Sequence, residues 1–152
     1  LVWLERENVH EAIMQGTIAV RTETGKITWF NVHRSNNYPY KHGFSSEEQE
    51  RYWYFRQVDA PMGWGWQAEN KIGLYPFASV AGDVDNFGLG KVFWIQDEEN
   101  VRLVILSDTG GAFQPNLQQL DWFIGVVQDK KELRSKSAKM PPFVKAGILI
   151  AK

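Results

Sequence analysis

From Leu74 to the C-terminus, short apolar and β-branched runs alternate with turn signals, and this rhythm limits the fold more than any other feature of the chain. The runs cover residues 77–81, 91–96, 101–107, 120–127 and 144–151. Short strands with no long helices between them predict a compact barrel or sandwich. The charged stretch 128–140, closed by Pro141 and Pro142, reads as one amphipathic helix whose basic run is a solvated face. Upstream, residues 17–21 and 26–32 flank the turn cluster Thr22, Glu23, Thr24, Gly25 and predict a hairpin. Residues 34–43 read as a loop, Ser45 and Glu48 have capping-box spacing for a short helix, and residues 52–57 resume strand character. The stretch 60–73 is rich in Gly and Trp without periodicity, and reads as a surface loop near a lobe boundary. Its Trp64 and Trp66 are wedges under the loop or platforms for sugar rings.

A chain of 152 residues accommodates one domain, or a small barrel with a minor lobe. Lys+Arg number 17 against 18 Asp+Glu, so no basic field points to nucleic acid or to an anionic membrane. The absence of Cys excludes disulfides, thiolate metal sites and thiol nucleophiles. Seven Trp and five Tyr fit an aromatic-rich β core, and equally a surface that handles sugars. No stretch reaches the roughly 18 apolar residues of a membrane span. The chain opens Leu1, Val2, Trp3, without Met or a basic leader, and is expected to lack its original N-terminus.

Two acidic motifs carry the chemistry. Asp108, Thr109, Gly110, Gly111, Ala112 follow directly on the apolar run 101–106. Two adjacent glycines admit backbone conformations closed to other residues and let a ligand approach the main chain; a tight barrel corner needs the same. Aspartic proteases also place Asp, Thr, Gly at a strand end, but they need a second copy of the motif or a dimer. Thirteen residues on, Asp121 stands between Leu120 and Trp122, ahead of Phe123, Ile124 and Gly125. An acid among bulky apolar groups, with a second carboxyl nearby, is expected to resist ionisation. Such an acid suits glycosidic cleavage, which needs a proton donor for the leaving oxygen. It equally fits an Asp capping a turn or facing outward from an alternating strand. Asp83 and Asp85 read alone as turn acids. His10, His33 and His42 lack metal-ligand spacing, so neither a metal nor another cofactor is expected.

Taken in order, these segments resemble the MltA family, bacterial membrane-bound lytic transglycosylases whose C-terminal part is the three-aspartate, double-psi β-barrel (3D) domain. The family's opening resembles the apolar residues 1–4 leading to Gln15 and Gly16. Its strand pair and following loop are similar to residues 17–32 and to Asn36, Asn37, Tyr38, Pro39, Tyr40. Its aromatic strand resembles residues 52–56. A Ser, Val, Ala, Val, Asp, Pro segment is matched by Ser79, Val80, Ala81, Gly82, Asp83, Val84, and a Leu, Gly turn by Gly88, Leu89, Gly90. The most specific signatures, Asp, Thr, Gly, Gly, Ala, Ile and Asp, Leu, Phe, Trp, Gly, stand here as residues 108–113 and 121–125. The link between them is two residues longer than in the family. Gly82 and Val84 replace Val and Pro, and Asn37 and Tyr38 replace Gly and His. The family's further N-terminal segment, which completes its barrel and supplies part of the substrate groove, is missing here: it was cut away, or another part of this chain or a second copy substitutes for it.

The resemblance implies a mainly β protein: a six-stranded double-psi β-barrel over residues 58–152, a smaller β lobe (MltA-like insert domain) over residues 1–57, and a saccharide groove between them. It implies a peptidoglycan lytic transglycosylase, placed in the periplasm, at the outer membrane or outside the cell. Membrane contact would come only through an anchor preceding the chain. Asp83, Asp108 and Asp121 are then the three aspartates, with Asp121 as the catalytic acid/base. Substrate contacts fall to Gln15, Gly16, Asn36, Thr109, Gly110, Gly111 and Trp122. Two other readings share the barrel: a β-1,4-glucan hydrolase resembling endoglucanases, with Asp83 or Asp108 as base, and a non-catalytic glycan-binding module resembling expansins and barwin.

Overall fold

The structure is a computed structural model that describes residues 6–45, 48–63, 71–97 and 100–150. Trp64 and Trp66, the apolar opening at residues 1–4, and residues 46 and 47 of the expected short helix lie outside these. The chain is mainly β and divides into two compact units, Leu1–Gly73 and Leu74–Lys152. The division falls at Gly73 and not at residue 57. The reason is local: β4 (Met62–Gly63) pairs with β5 (Ile72–Gly73), and Thr17 Oγ1 and Asn31 Nδ2 both donate to the Met62 carbonyl, at 2.9 Å each.

The first unit opens with α1 (Arg6–Gln15), which no sequence expectation anticipated. Gly16, at φ +70°, ends it by adopting a left-handed conformation that other residues reach only at a cost. The expected hairpin forms as β1 (Thr17–Arg21) against β2 (Ile27–Ser35), and β3 (Trp53–Val58) adds on the far side of β2 to complete an antiparallel meander. Buried Asn31 ties the unit together, its amide nitrogen donating to Gly16 O, Thr17 Oγ1 and Met62 O.

The second unit contains β6 (Ser79–Ala81), α2 (Val84–Phe87), β7 (Val92–Gln96), β8 (Val101–Asp108), β9 (Asp121–Trp122), α3 (Lys130–Ser137) and β10 (Lys145–Ile148). Its strands order as β10, β7, β8, β6, β9, with β6 parallel to β8 and every other neighbour antiparallel. Among the described residues five strands pair here, against the six expected, and no ladder joins β9 to β10. Strand alternation sends Val104 and Leu106 of β8 and Phe93 and Ile95 of β7 to one side, where Val80 joins them in the core. Each such side chain contributes about 1.5–3 kcal/mol through the apolar surface it removes from water. The expected helix forms over fewer residues than anticipated. Asp129 caps its start by accepting from the Glu132 amide, and the Glu132 carboxylate meets Lys136 one turn on. Among the described residues, no helix is long and apolar enough to cross a membrane.

Candidate functional site

β8 and β9 are consecutive and antiparallel to each other, yet β6 lies between them, so the link 109–120 crosses β6. This crossing places both acidic motifs around one residue. Ala81 of β6 is the register partner of Asp108 on one side and of Asp121 on the other. A bulge sets the first relationship: Val80 pairs with Leu106, and the next residue, Ala81, pairs with Asp108 and not with Ser107. Bulges of this kind re-aim a strand at its end. Two strand spacings separate the backbones of the acids, about 9–10 Å.

Asp121 is exposed, and the apolar neighbours expected to bury it do not. Successive strand residues point to opposite faces, so Leu120 and Trp122 pack against the core while the carboxylate between them faces outward. Its Oδ1 accepts a 2.9 Å hydrogen bond from Gln119 Nε2. Asp108 is half-buried, and its carbonyl accepts from the Gly82 amide at 3.1 Å.

Asp83 has the opposite environment, with 0% of its surface exposed. Its Oδ1 accepts from the Asn86 amide at 3.1 Å and caps α2, while Oδ2 accepts from Asn86 Nδ2 at 2.7 Å and from the Asn116 amide at 3.0 Å. The Asn86 side chain, helped by the backbone N–H groups of Asn86, Asn116 and Asp85, holds this carboxyl below the usual range against the opposing effect of burial. An anion enclosed by donors in this way organises the chain around it.

The glycine pair departs from one expectation. Gly110 is extended (φ −169°, ψ 172°), a conformation open to any residue, and Gly111 is not at positive φ. A Cβ on Gly110 would meet only the Phe113 ring, at 3.8 Å, and one on Gly111 would meet nothing within 4 Å. Neither backbone strain nor packing therefore demands glycine at these positions. The Thr109 hydroxyl and Trp122 Nε1 are buried atoms without a hydrogen-bond partner among the described residues. Gly82, where the family has Val, has an evident reason: a Cβ there would lie 2.9 Å from a Leu120 methyl and 3.1 Å from one of Leu106. Gly125, at φ +92° against Pro76, turns the chain after the second motif and helps to shorten the strand expected over 120–127 to two residues.

Gln15, Gly16 and Asn36 belong to the first unit. Gln15 is the exposed last residue of α1, and the Gly16 carbonyl is taken up by Val32 N and Asn31 Nδ2. Both ends of the Asn36 amide are engaged: Nδ2 donates to Glu50 O at 2.8 Å, and Oδ1 accepts from Tyr52 N at 3.1 Å. Asn36 thus closes its own loop. Sequence reasoning missed Asn116 and Gln119, which lie in the lengthened link and connect Asp83 to Asp121. Among the described residues, no group of three or more His, Asp or Glu gathers as metal ligands.

No protein-family model and no curated protein matches the chain. Among solved structures it is similar to the lytic transglycosylase LtgG of Burkholderia pseudomallei, at 21% identity and a TM-score of 0.46, over 83% of this chain and 49% of that one. It is also similar to MltA from E. coli, at 16% identity and a TM-score of 0.40, over 68% of this chain and 44% of that one. The chain spans less than half the length of either.

Proposed function

We propose that the chain is the catalytic part of a peptidoglycan lytic transglycosylase in which Asp121 is the acid/base. The observation that carries this reading is the position of Asp108 and Asp121, one on each side of Ala81. The smallest chiral side chain separates two acids delivered by the two most specific motifs of the sequence. Gly110 and Gly111 add support, since neither conformation nor packing requires glycine there and bare backbone beside the acids gives a sugar room to approach.

In this mechanism Asp121 gives its proton to the oxygen between MurNAc and GlcNAc as the C1–O bond breaks. The resulting carboxylate then takes the proton of the MurNAc C6 hydroxyl, whose oxygen bonds to C1 and leaves a 1,6-anhydro end. Asp108 and the backbone of Thr109 and Gly110 orient the acid and the sugar. Asp83 acts by holding the link 109–120. The architecture we propose is a closed six-stranded double-psi barrel, a reading that the β8–β9 crossing over β6 supports. A cell-wall substrate places the protein outside the cytoplasm.

One observation favours a second reading. Backbones about 9–10 Å apart allow carboxyl separations near the roughly 6.5–9.5 Å of inverting glycosidases, which admit a water between acid and base. Asp108 would then be the base of a β-1,4-glucan hydrolase. Incubation with purified peptidoglycan and with cellulose, followed by mass spectrometry, separates the two. Anhydro-muropeptides absent after Asp121→Asn support the transglycosylase, and hydrated reducing ends support the hydrolase. Glycan binding that survives Asp121→Asn, with no product from either protein, points to a binding module instead.

A further inference from the structure

Four residues of the second unit form a continuous hydrogen-bonded chain from its most buried acid to its exposed one. Asp83 Oδ2 accepts from the Asn116 backbone N–H at 3.0 Å. Asn116 Nδ2 donates to Gln119 Oε1 at 2.9 Å, and Gln119 Nε2 donates to Asp121 Oδ1 at 2.9 Å. The polarity of the chain is fixed by groups that cannot reverse. The Gln118 backbone N–H donates to Asn116 Oδ1 at 3.2 Å, and the Ala112 carbonyl accepts from Asn116 Nδ2 at 3.4 Å. A backbone N–H only donates and a carbonyl only accepts, so Asn116 must present Nδ2 to Gln119. Gln119 must then present its oxygen to Asn116 and its NH2 to Asp121.

We propose that Gln119, aligned by Asn116 and anchored through it to Asp83, is a positioning residue that keeps Asp121 Oδ1 as an acceptor and so assigns the transferred proton to Oδ2. This rests on the reading of Asp121 as the acid/base. The carbonyl oxygen of a protonated carboxyl is a better acceptor than its hydroxyl oxygen, so an amide N–H facing Oδ1 favours the form of Asp121 that carries its hydrogen on the other oxygen. The carboxyl rotation is set by the same bond. In the free chain the Gln119–Asp121 contact is exposed and adds little to stability. Under a bound glycan water is displaced, and the same bond strengthens as the local dielectric falls. Its effect therefore falls on turnover and not on folding.

The test uses the full chain, peptidoglycan turnover and thermal melting. Gln119→Ala is expected to lower kcat by about 10- to 100-fold with KM and Tm little changed, as for loss of alignment at the reacting group. Gln119→Glu keeps the acceptor that Asn116 needs, but its carboxyl donates to Asp121 only when protonated. Its turnover, relative to wild type, is expected to recover as the pH falls below about 5, while that of Gln119→Ala does not. Asn116→Ala combined with Gln119→Ala should cost no more than Gln119→Ala alone. A wild-type enzyme that turns over while Gln119→Ala matches its kcat, or a Gln119→Glu variant with no relative recovery at low pH, overturns the positioning role alone. A wild-type chain without turnover, or an Asp121→Asn variant that retains it, overturns the acid/base reading and the positioning role with it.

Discussion

The backbone N–H of Asn116 donates to Asp83 Oδ2 at 3.0 Å, joining a buried helix cap to a loop 33 residues further along the chain. That bond divides the labour among the aspartates. Asp83 is enclosed and fully engaged, whereas Asp108 and Asp121 meet at the level of Ala81 near the surface. The link 109–120 crosses β6 without strand partners of its own, so its course depends on anchors such as this one. The proposed site is thus built by a buried anion that never reaches the substrate.

Asp83→Asn tests that division. The substituted amide turns an NH2 toward donors already aimed at the carboxylate, leaving at least one of the N–H groups of Asn86 and Asn116 unsatisfied in a buried place. The melting temperature should fall by about 5–15 °C, measured by circular dichroism. Turnover at temperatures where the variant stays folded should fall as well, because the link carrying Asn116 and Gln119 loses its anchor. An unchanged melting temperature would refute the structural role.

The same carboxylate gives a pH signature. Its folded-state pKa lies below the unfolded value, with the Asn86 side chain as the largest cause. Its contribution is therefore fully present above the unfolded value, about 4, and is lost as pH falls through the folded value. Glu132, held low by the Gln128 N–H and then by Lys136, follows the same sign but is common to both proteins. The Tm gap between wild type and Asp83→Asn should be widest at neutral pH and narrow steadily below about pH 4. A gap that widens with acid contradicts the assignment.

Much of this was legible in the chain, and the failures have identifiable causes. The apolar and β-branched runs gave β1, β7 and β8 to within a residue at each end, whereas β2 continues three residues past its expected end at Val32 to Ser35. Of the two environments the sequence allowed for Asp121, the outward-facing one holds, because Leu120 and Trp122 on either side of it face the core. Helix α1 carries helical spacing only at Val9, Ala12 and Ile13, a short apolar stripe in an otherwise polar segment. The meeting of Asp108 and Asp121 at Ala81 depends on a bulge and a crossing, neither of which leaves a local pattern. Asn116 and Gln119 read as ordinary polar loop residues, and only their partners give them a role.

Gly147 offers a test of the sheet away from the acids. It pairs with Trp94 across β10 and β7, and a Cβ added there would overlap the indole, whose Cζ2 would lie 2.7 Å away. Gly147→Val must displace the ring or detach the edge strand, at a cost of about 1–3 kcal/mol in chemical denaturation. Turnover per folded molecule should stay near wild type, because β10 lies on the far side of β7 and β8 from Asp121.

Ala81→Leu tests the space between the acids. Ala81 is half-buried, and its register partners on both sides are the two carboxylates, so a longer side chain enters the gap that a sugar or a water would occupy. The core is made by Val80 and its neighbours on the opposite face, so the added methyls should shift stability by less than about 1.5 kcal/mol. Catalysis by Asp121 with Asp108 beside it should lose about 100-fold or more in kcat/KM, since the substrate can no longer reach the position in which the acid meets the leaving oxygen. Ala81→Gly, which keeps the gap open, should retain turnover within about 10-fold. If leucine and glycine at this position give equal activity, the reaction does not take place between these two aspartates.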